Sequence, residues 1–198
     1  MFKLDYNPVS KYWHERISHL TKEQQELREA PLGRKENLIK LKKSKETVKE
    51  GDVFVLSMKG GLYFYGKVLQ AKIEHVQKNS SYNEGIVIFI FKCKTNKKTL
   101  ENFKPDYNKL LIGPDIVTSG YWAQGYFETI GNIPLTDEEK KLDYGFFRIE
   151  GKGGIILKAN GEDMDHMPKY LQSYGISVYA GIYMSLRTEA IIDPTLLE

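Results

Sequence analysis

The side chains able to do chemistry are few, and their spacing works against it. The histidines are His14, His19, His75 and His166. His14 and His19 lie five residues apart in a stretch of helical pattern, whereas two ligands on one helix face need a spacing of three or four. Glu162, Asp163, Asp165 and His166 form a small polar group that could face a cation, yet the same residues suit an exposed turn capping a helix, and no metal is expected there. No serine or cysteine lies in a nucleophile-elbow setting, and no His-Glu-x-x-His occurs. Gly151-Lys-Gly-Gly154 imitates a phosphate loop, but a phosphate cradle needs a helix N-terminus after it. Here Ile155-Ile156-Leu157 follows, which reads as strand, so a hairpin turn is expected. Glu138 and Glu139 sit in a capping turn and are expected to be solvated. No catalytic residue and no cofactor is predicted.

Two sets of residues suit contact rather than catalysis. Tyr63 and Tyr65 share one face of a predicted strand, and Tyr121, Trp122 and Tyr126 lie together further on. Such rings are large, stiff and amphipathic, so they anchor protein interfaces at low entropy cost. They also stack single-stranded bases, or simply pack a core. The second set is Lys40, Lys42, Lys43, Lys45 and Lys49. It reads as a solvated linker face, with a phosphate-binding patch as the alternative; acidic neighbours such as Glu46 and Glu50 dilute it.

These residues must be positioned by a sheet. Residues 50–70 form two runs of β-branched and aromatic residues around Gly60-Gly61, the pattern of a β-hairpin. In the first strand Phe54, Leu56 and Met58 share one face, with Val53, Val55 and Ser57 on the other; in the second, Leu62, Phe64 and Val68 share a face opposite Tyr63, Tyr65, Lys67 and Leu69. Apolar atoms on both faces place the hairpin centrally in a curved sheet or small barrel, and Gly66 is a point for a bulge or bend. Residues 86–93 read as a buried central strand, in which Cys93 is a buried small hydrophobe. Residues 71–76 continue strand-like, 77–85 are loop and 94–109 a polar excursion. Residues 110–117 read as two short strands about a Gly113-Pro114 turn, and 120–131 as a strand with two glycine bends. A capping box, Thr136-Asp-Glu-Glu139, starts a helical turn. Residues 144–150 and 155–159 form a second hairpin, 161–173 a turn and weak helix with Pro168 in its first turn, and 176–180 a last strand. Residues 181–192 fit strand or helix. Towards the N-terminus, residues 10–30 have helical periodicity, with Ser10 as cap and a break at Thr21, and 34–43 a shorter helix.

The chain has 198 residues, 41% apolar and 28% charged, with a net charge of +3, the profile of a globular protein able to bury a core without staples. That charge does not by itself call for nucleic acid or an anionic membrane. The single cysteine excludes an intramolecular disulfide and a cysteine-rich zinc site. The start lacks the basic-then-apolar order of a signal peptide, and no apolar run approaches the ~20 residues of a bilayer span. A cytoplasmic protein without membrane partners is expected. The fold class is α+β: a strongly bent, mainly antiparallel sheet or partial barrel with N-terminal helices packed against it. Residues 1–49 form an N-terminal helical extension and 50–198 a β-rich domain.

The order of landmarks resembles the immunity protein 26 family: Gly51-Asp-Val-Phe-Val-Leu, then Gly61-Leu-Tyr-Phe-Tyr-Gly-Lys-Val-Leu, an apolar strand, and Gly120-Tyr-Trp-Ala-Gln-Gly-Tyr-Phe-Glu-Thr-Ile-Gly-Asn-Ile-Pro-Leu135. The resemblance covers about residues 50–159 and leaves out the N-terminal helices. It implies a bacterial protein encoded beside a polymorphic or contact-dependent toxin, which binds that toxin without catalysis and occludes its active site or an essential surface. The cognate toxin is then the partner, with Tyr63, Tyr65, Tyr121, Trp122 and Tyr126 as the expected contacts. The alternative is a nucleic-acid-binding module using the lysine cluster and the sheet aromatics, with nucleic acid the less favoured partner.

Overall fold

A computed structural model describes residues 2–33, 37–73, 85–101 and 103–198. Among them the chain runs β1 (Lys3–Leu4), α1 (Pro8–Ile17), α2 (Lys22–Glu29), β2 (Asp52–Lys59), β3 (Leu62–Ile73), β4 (Gly85–Thr95), β5 (Leu110–Val117), α3 (Gly120–Ala123), β6 (Glu128–Asn132), α4 (Asp137–Lys140), β7 (Tyr144–Glu150), β8 (Gly153–Leu157), β9 (Tyr170–Ser173), α5 (Tyr179–Ile192) and a closing 3-10 turn, Pro194–Leu197. The expected α+β class holds, but the bent sheet is two sheets. One is antiparallel in the order β5-β4-β3-β2-β6; the other is β1-β8-β7-β9, with only β7 and β9 parallel.

The alternation in β2 and β3 dictates the layers. Phe54, Leu56, Phe64 and Val68 face a core closed by Tyr121 and Trp122 of α3, Phe127, and Ile182 and Leu186 of α5. Val53, Val55, Tyr65 and Leu69 face the opposite way, into a core shared with Phe146 of the smaller sheet and Phe103 of the 96–109 connection. The far side of the smaller sheet, Phe147 and Ile156, is covered by Val9 and Trp13 of α1. β4 is buried on both faces from Gly85 to Phe91, as a central strand must be. Cys93 is a half-buried free thiol against the inter-sheet core. In the hairpin turn, Gly61 takes φ +82°. At Gly66 the register between β3 and β4 shifts, as a bulge requires, and a Cβ there would sit inside the ring of Phe54.

Several local expectations are corrected. α1 is capped by Asn7, whose Oδ1 accepts from the Ser10 N–H (2.9 Å), so Ser10 lies inside the helix. The break at Thr21 is real, and Thr21 and Gln24 form a complete capping box. Of the helix expected over 34–43, residues 34–36 lie outside the described residues. Residues 37–43 are not helical: they extend along the sheet edge, with the Ile39 N–H on the Ser57 carbonyl (2.8 Å) and the Leu41 N–H on the Gly125 carbonyl (2.6 Å). Strand β3 is described to Ile73; residues 74–84, with the end of the expected strand and most of the loop expected over 77–85, lie outside the described residues, and Gly85 already belongs to β4. Gly113 and Pro114 do not turn the chain: β5 is continuous, and the pair sits opposite Phe89 where the register slips, a bulge on an edge strand that tolerates Pro. Residues 120–127 are a helical turn and loop rather than strand, which begins at Glu128. Residues 161–169 hold no helix, and β9 follows them. Ile176 makes only an isolated bridge to Ile116, and 181–192 belongs to α5. The N-terminal segment is not all helix, since β1 pairs with β8.

The tight packing at Gly66 has a consequence. Gly66→Ala forces the Phe54 ring aside and is expected to cost about 1–3 kcal/mol, as overpacked cores do. Denaturant midpoints check this, and Phe54→Leu in the Gly66→Ala background is expected to restore part of the loss.

Candidate interaction surface

The five aromatic residues do not form one surface. Tyr65, Tyr121 and Trp122 are 1%, 1% and 2% exposed, so of the readings open for these rings the core holds for the three and direct contact does not. Tyr65 stacks on Phe103 (4.8 Å between ring centres) and gives its hydroxyl proton to the Thr99 carbonyl (2.9 Å). Tyr121 stacks on Phe127 (4.4 Å) and bonds the Ser177 carbonyl (3.1 Å), and burial pushes its phenol pKa well up. The Trp122 indole N–H bonds Thr129 Oγ1 (2.9 Å), and its ring meets Phe54 edge-on. Tyr63 and Tyr126 are half-buried. Tyr63 packs on the inter-sheet core with Lys98 Nζ over its ring (5.8 Å to the centre). Tyr126 packs on the helix-side core with Lys40 Nζ over its ring (5.6 Å).

Sequence reasoning missed the polar groups that matter most inside. Lys67 is fully buried at the middle of β3, and its Nζ reaches both oxygens of Glu139 (2.7 and 2.8 Å). Glu139, expected to be solvated, is 6% exposed, and it also accepts from Tyr107 Oη (2.7 Å) and the Thr136 N–H (2.9 Å). Burial pushes its carboxyl up, but the bonds from Lys67, Thr136 and Tyr107 outweigh that and hold it below the usual carboxylate range. Asp115 on β5 is buried as well; its Oδ1 accepts from Ser177 Oγ (2.7 Å) and the Ile116 N–H (2.8 Å). Burial raises its pKa from 3.8 to about 7 against the effect of those two bonds. Both groups fix elements in place, Glu139 through four bonds to its two oxygens and Asp115 through two bonds to its Oδ1. No sequence signal marked them, because their partners come from distant segments.

On the surface, His166 lies between Asp165 and Asp143, each 2.8 Å away, and both carboxylates raise its pKa. The group therefore ties the 161–169 loop to residue 143. Among the described residues no cluster of metal-ligating side chains occurs. Lys40, Lys42, Lys43, Lys45 and Lys49 are all exposed, and none forms an ion pair with a described residue. Their segment is nevertheless held: the Ser44 N–H bonds the Trp122 carbonyl (3.0 Å), and Val48 is buried. Two adjoining clefts of about 500 and 420 Å³ separate it from β6, sharing Ser44, Glu46 and Thr129 in their walls. No described helix is long and apolar enough to cross a membrane.

Compared with protein families, the chain matches the one described as Immunity protein 26 over residues 49–154. The chain belongs to that family. Neither the comparison with curated proteins nor that with solved structures gives a match. The Immunity protein 26 region takes in the whole five-stranded sheet, α3, α4 and β7. Both Lys67 and Glu139 lie within it. The lysines at 40, 42, 43 and 45, helices α1 and α2, and the chain from β9 onward lie outside it.

The buried groups set two expected outcomes. Lys67→Met leaves a buried carboxylate without its cation and is expected to cost about 3–5 kcal/mol. Lys67→Met with Glu139→Gln is expected to recover more than half of that, read from urea midpoints. For Asp115 the folded pKa stands above the unfolded one, so the native state binds the extra proton. Its contribution to stability is complete below pH 4, falls as pH rises to about 7, and then stays lost. Asp115→Asn keeps the acceptor without the charge, so it is expected to exceed wild type in stability at pH 8 and to have no such advantage at pH 4.5.

Proposed function

We propose that this protein is a non-catalytic immunity protein of the bacterial cytoplasm that binds a cognate toxin and neutralises it by occluding its active site or an essential surface. The observation that carries the reading is membership of the Immunity protein 26 family across the complete five-stranded sheet. Its buried polar groups support a binding role, because they are spent on holding elements together. A toxin inhibitor must dissociate slowly, and that property comes from anchors packed into a partner more than from rim charges. Of the five aromatics, Tyr63 and Tyr126 keep ring area for such a contact, each under a lysine that stiffens it. Tyr65, Tyr121 and Trp122 serve from behind, as the core that holds these two rings in position. The same burial removes those three from any base-stacking platform, which leaves the nucleic-acid alternative with the lysines alone.

The test is co-production with the toxin domain encoded beside the gene. The wild-type protein is expected to restore growth and to co-purify with the toxin. Tyr63→Ala and Tyr126→Ala are each expected to weaken toxin binding by about 2 kcal/mol at nearly unchanged melting, whereas Tyr121→Ala is expected to cost roughly 3–5 kcal/mol of folding stability. Growth that stays arrested with the wild-type protein present refutes the reading.

A further inference from the structure

β6 ends the larger sheet, with β2 as its one neighbour among the described residues. The outer side of such a strand offers backbone donors and acceptors to a further strand. Proteins often guard an open edge by placing lysines on the edge strand itself. β6, with the sequence Glu-Thr-Ile-Gly-Asn, has none. The lysines stand instead on residues 42–49, across the cleft from β6, on a backbone pinned at Ser44 and Val48. The arrangement is a slot with the start of β6, Glu128 and Thr129, on one side and the lysines on the other.

The charge of that slot is not neutralised from within. Lys42, Lys43 and Lys45 line one cleft and Lys49 the next. The carboxylates nearby are mostly engaged elsewhere. Glu128 pairs with Lys98 (2.7 Å). Asp52 accepts from the Lys49 backbone N–H (2.8 Å) and from Asn132 Nδ2 (2.8 Å). Glu46 alone lines the slot without such a bond. Four lysines stand against two carboxylates without an ion pair, Glu46 and Asp52, a surplus of positive charge that the carboxylates of a partner can meet. Because the wall is already fixed, little ordering entropy is lost when it does.

We propose that this slot receives an acidic, extended segment of the toxin, which pairs with the outer edge of β6 while its carboxylates meet Lys42, Lys43 and Lys45. The inference rests on the toxin-binding reading and specifies its contact. β6 and the Trp122 floor belong to the family-matched region, whereas the wall from residue 42 to 48 lies outside it. The shared sheet thus supplies main-chain pairing that is indifferent to side chains, and the added wall supplies the preference for acidic sequence.

The closing experiment compares three full-length proteins in cells producing the neighbouring toxin domain: wild type, Lys42→Glu/Lys43→Glu/Lys45→Glu, and a control of equal charge change, Lys11→Glu/Lys104→Glu/Lys152→Glu. The slot variant is expected to lose protection and to bind the purified toxin roughly tenfold or more weakly at unchanged melting, with the control close to wild type. Should the slot variant melt lower, Lys42→Gln/Lys43→Gln/Lys45→Gln takes its place, with weakened binding again expected. Amide exchange of residues 128–132 is expected to slow in the wild-type complex. Protection by wild type and slot variant alike overturns the slot and leaves the immunity reading standing; failure of wild type to protect overturns both. Toxin binding that is unchanged in the slot variant, alongside lost binding to a single-stranded oligonucleotide, reassigns the lysines to nucleic acid and also overturns the proposal.

Discussion

The ion pair between Lys67 and Glu139 is the constraint on which the arrangement of the two sheets depends. Lys67 sits at the centre of β3, the middle strand of the larger sheet, on the face turned toward the smaller one. Taking an ammonium and a carboxylate out of water costs several kcal/mol each, and only good geometry with further hydrogen bonds offsets it. Glu139 receives four: two from Lys67, one from Tyr107 and one from the Thr136 backbone. The two oxygens are thus bonded from two distant segments, β3 and the 96–109 connection, as well as from their own turn. Any shift of the α4 turn along the sheet breaks several of these bonds together, so the pair sets one position for the connection that leads from β6 into β7. Apolar side chains could fill the same volume, but they would tolerate a range of offsets that this pair does not.

The same pair explains what could be read from the sequence and what could not. β2, β3 and β4 were legible because their apolar pattern reports local periodicity and two-sided burial, as Val53 against Phe54 illustrates. Lys67 looked like one more polar residue on a mixed face, and Glu139 like one more acid in an exposed capping box. The box itself was right. Its burial was set by a strand 72 residues earlier in the chain, which no local window contains. Residues 120–127 failed for a related reason. Alternating aromatic and small residues imitate a strand, but a strand would send Tyr121 and Trp122 to opposite faces. Both are needed in the helix-side core with Phe127, and a helical turn delivers them there. Gly113-Pro114 likewise has turn chemistry, and the long edge strand around it overrides that chemistry by absorbing the pair as a bulge.

The segments outside the family-matched region are not loose additions, because they clasp one another. Arg16 of α1 bonds Glu189 of α5 (2.7 Å), Gln24 of α2 bonds the Ile191 carbonyl (3.0 Å), and Arg187 of α5 reaches the carbonyls of Leu27 and Ala30. Glu189 is 1% exposed, and its other oxygen has no bond among the described residues. Burial therefore raises its carboxyl pKa even beside the Arg16 guanidinium. The clasp holds α5 against the sheet, where Ile182 and Leu186 complete the core that Tyr121 and Trp122 enter from α3. The aromatic residues most suited by type to an interface are consumed by this closure.

The larger sheet is mostly covered, one face by α3 and α5 and the other by the smaller sheet. Among the described residues its accessible parts include its edges and the rings of Tyr63 and Tyr126. β5 lies against β9, and beyond β9 Ile176 makes an isolated bridge to Ile116 of β5. β6 keeps its outer side, and the half-exposed rings of Tyr63 and Tyr126 lie on opposite faces of the sheet near the start of that strand, each beneath a lysine. In the proposed complex the edge of β6 supplies main-chain pairing without selectivity, and the charged segment beside it adds the selectivity.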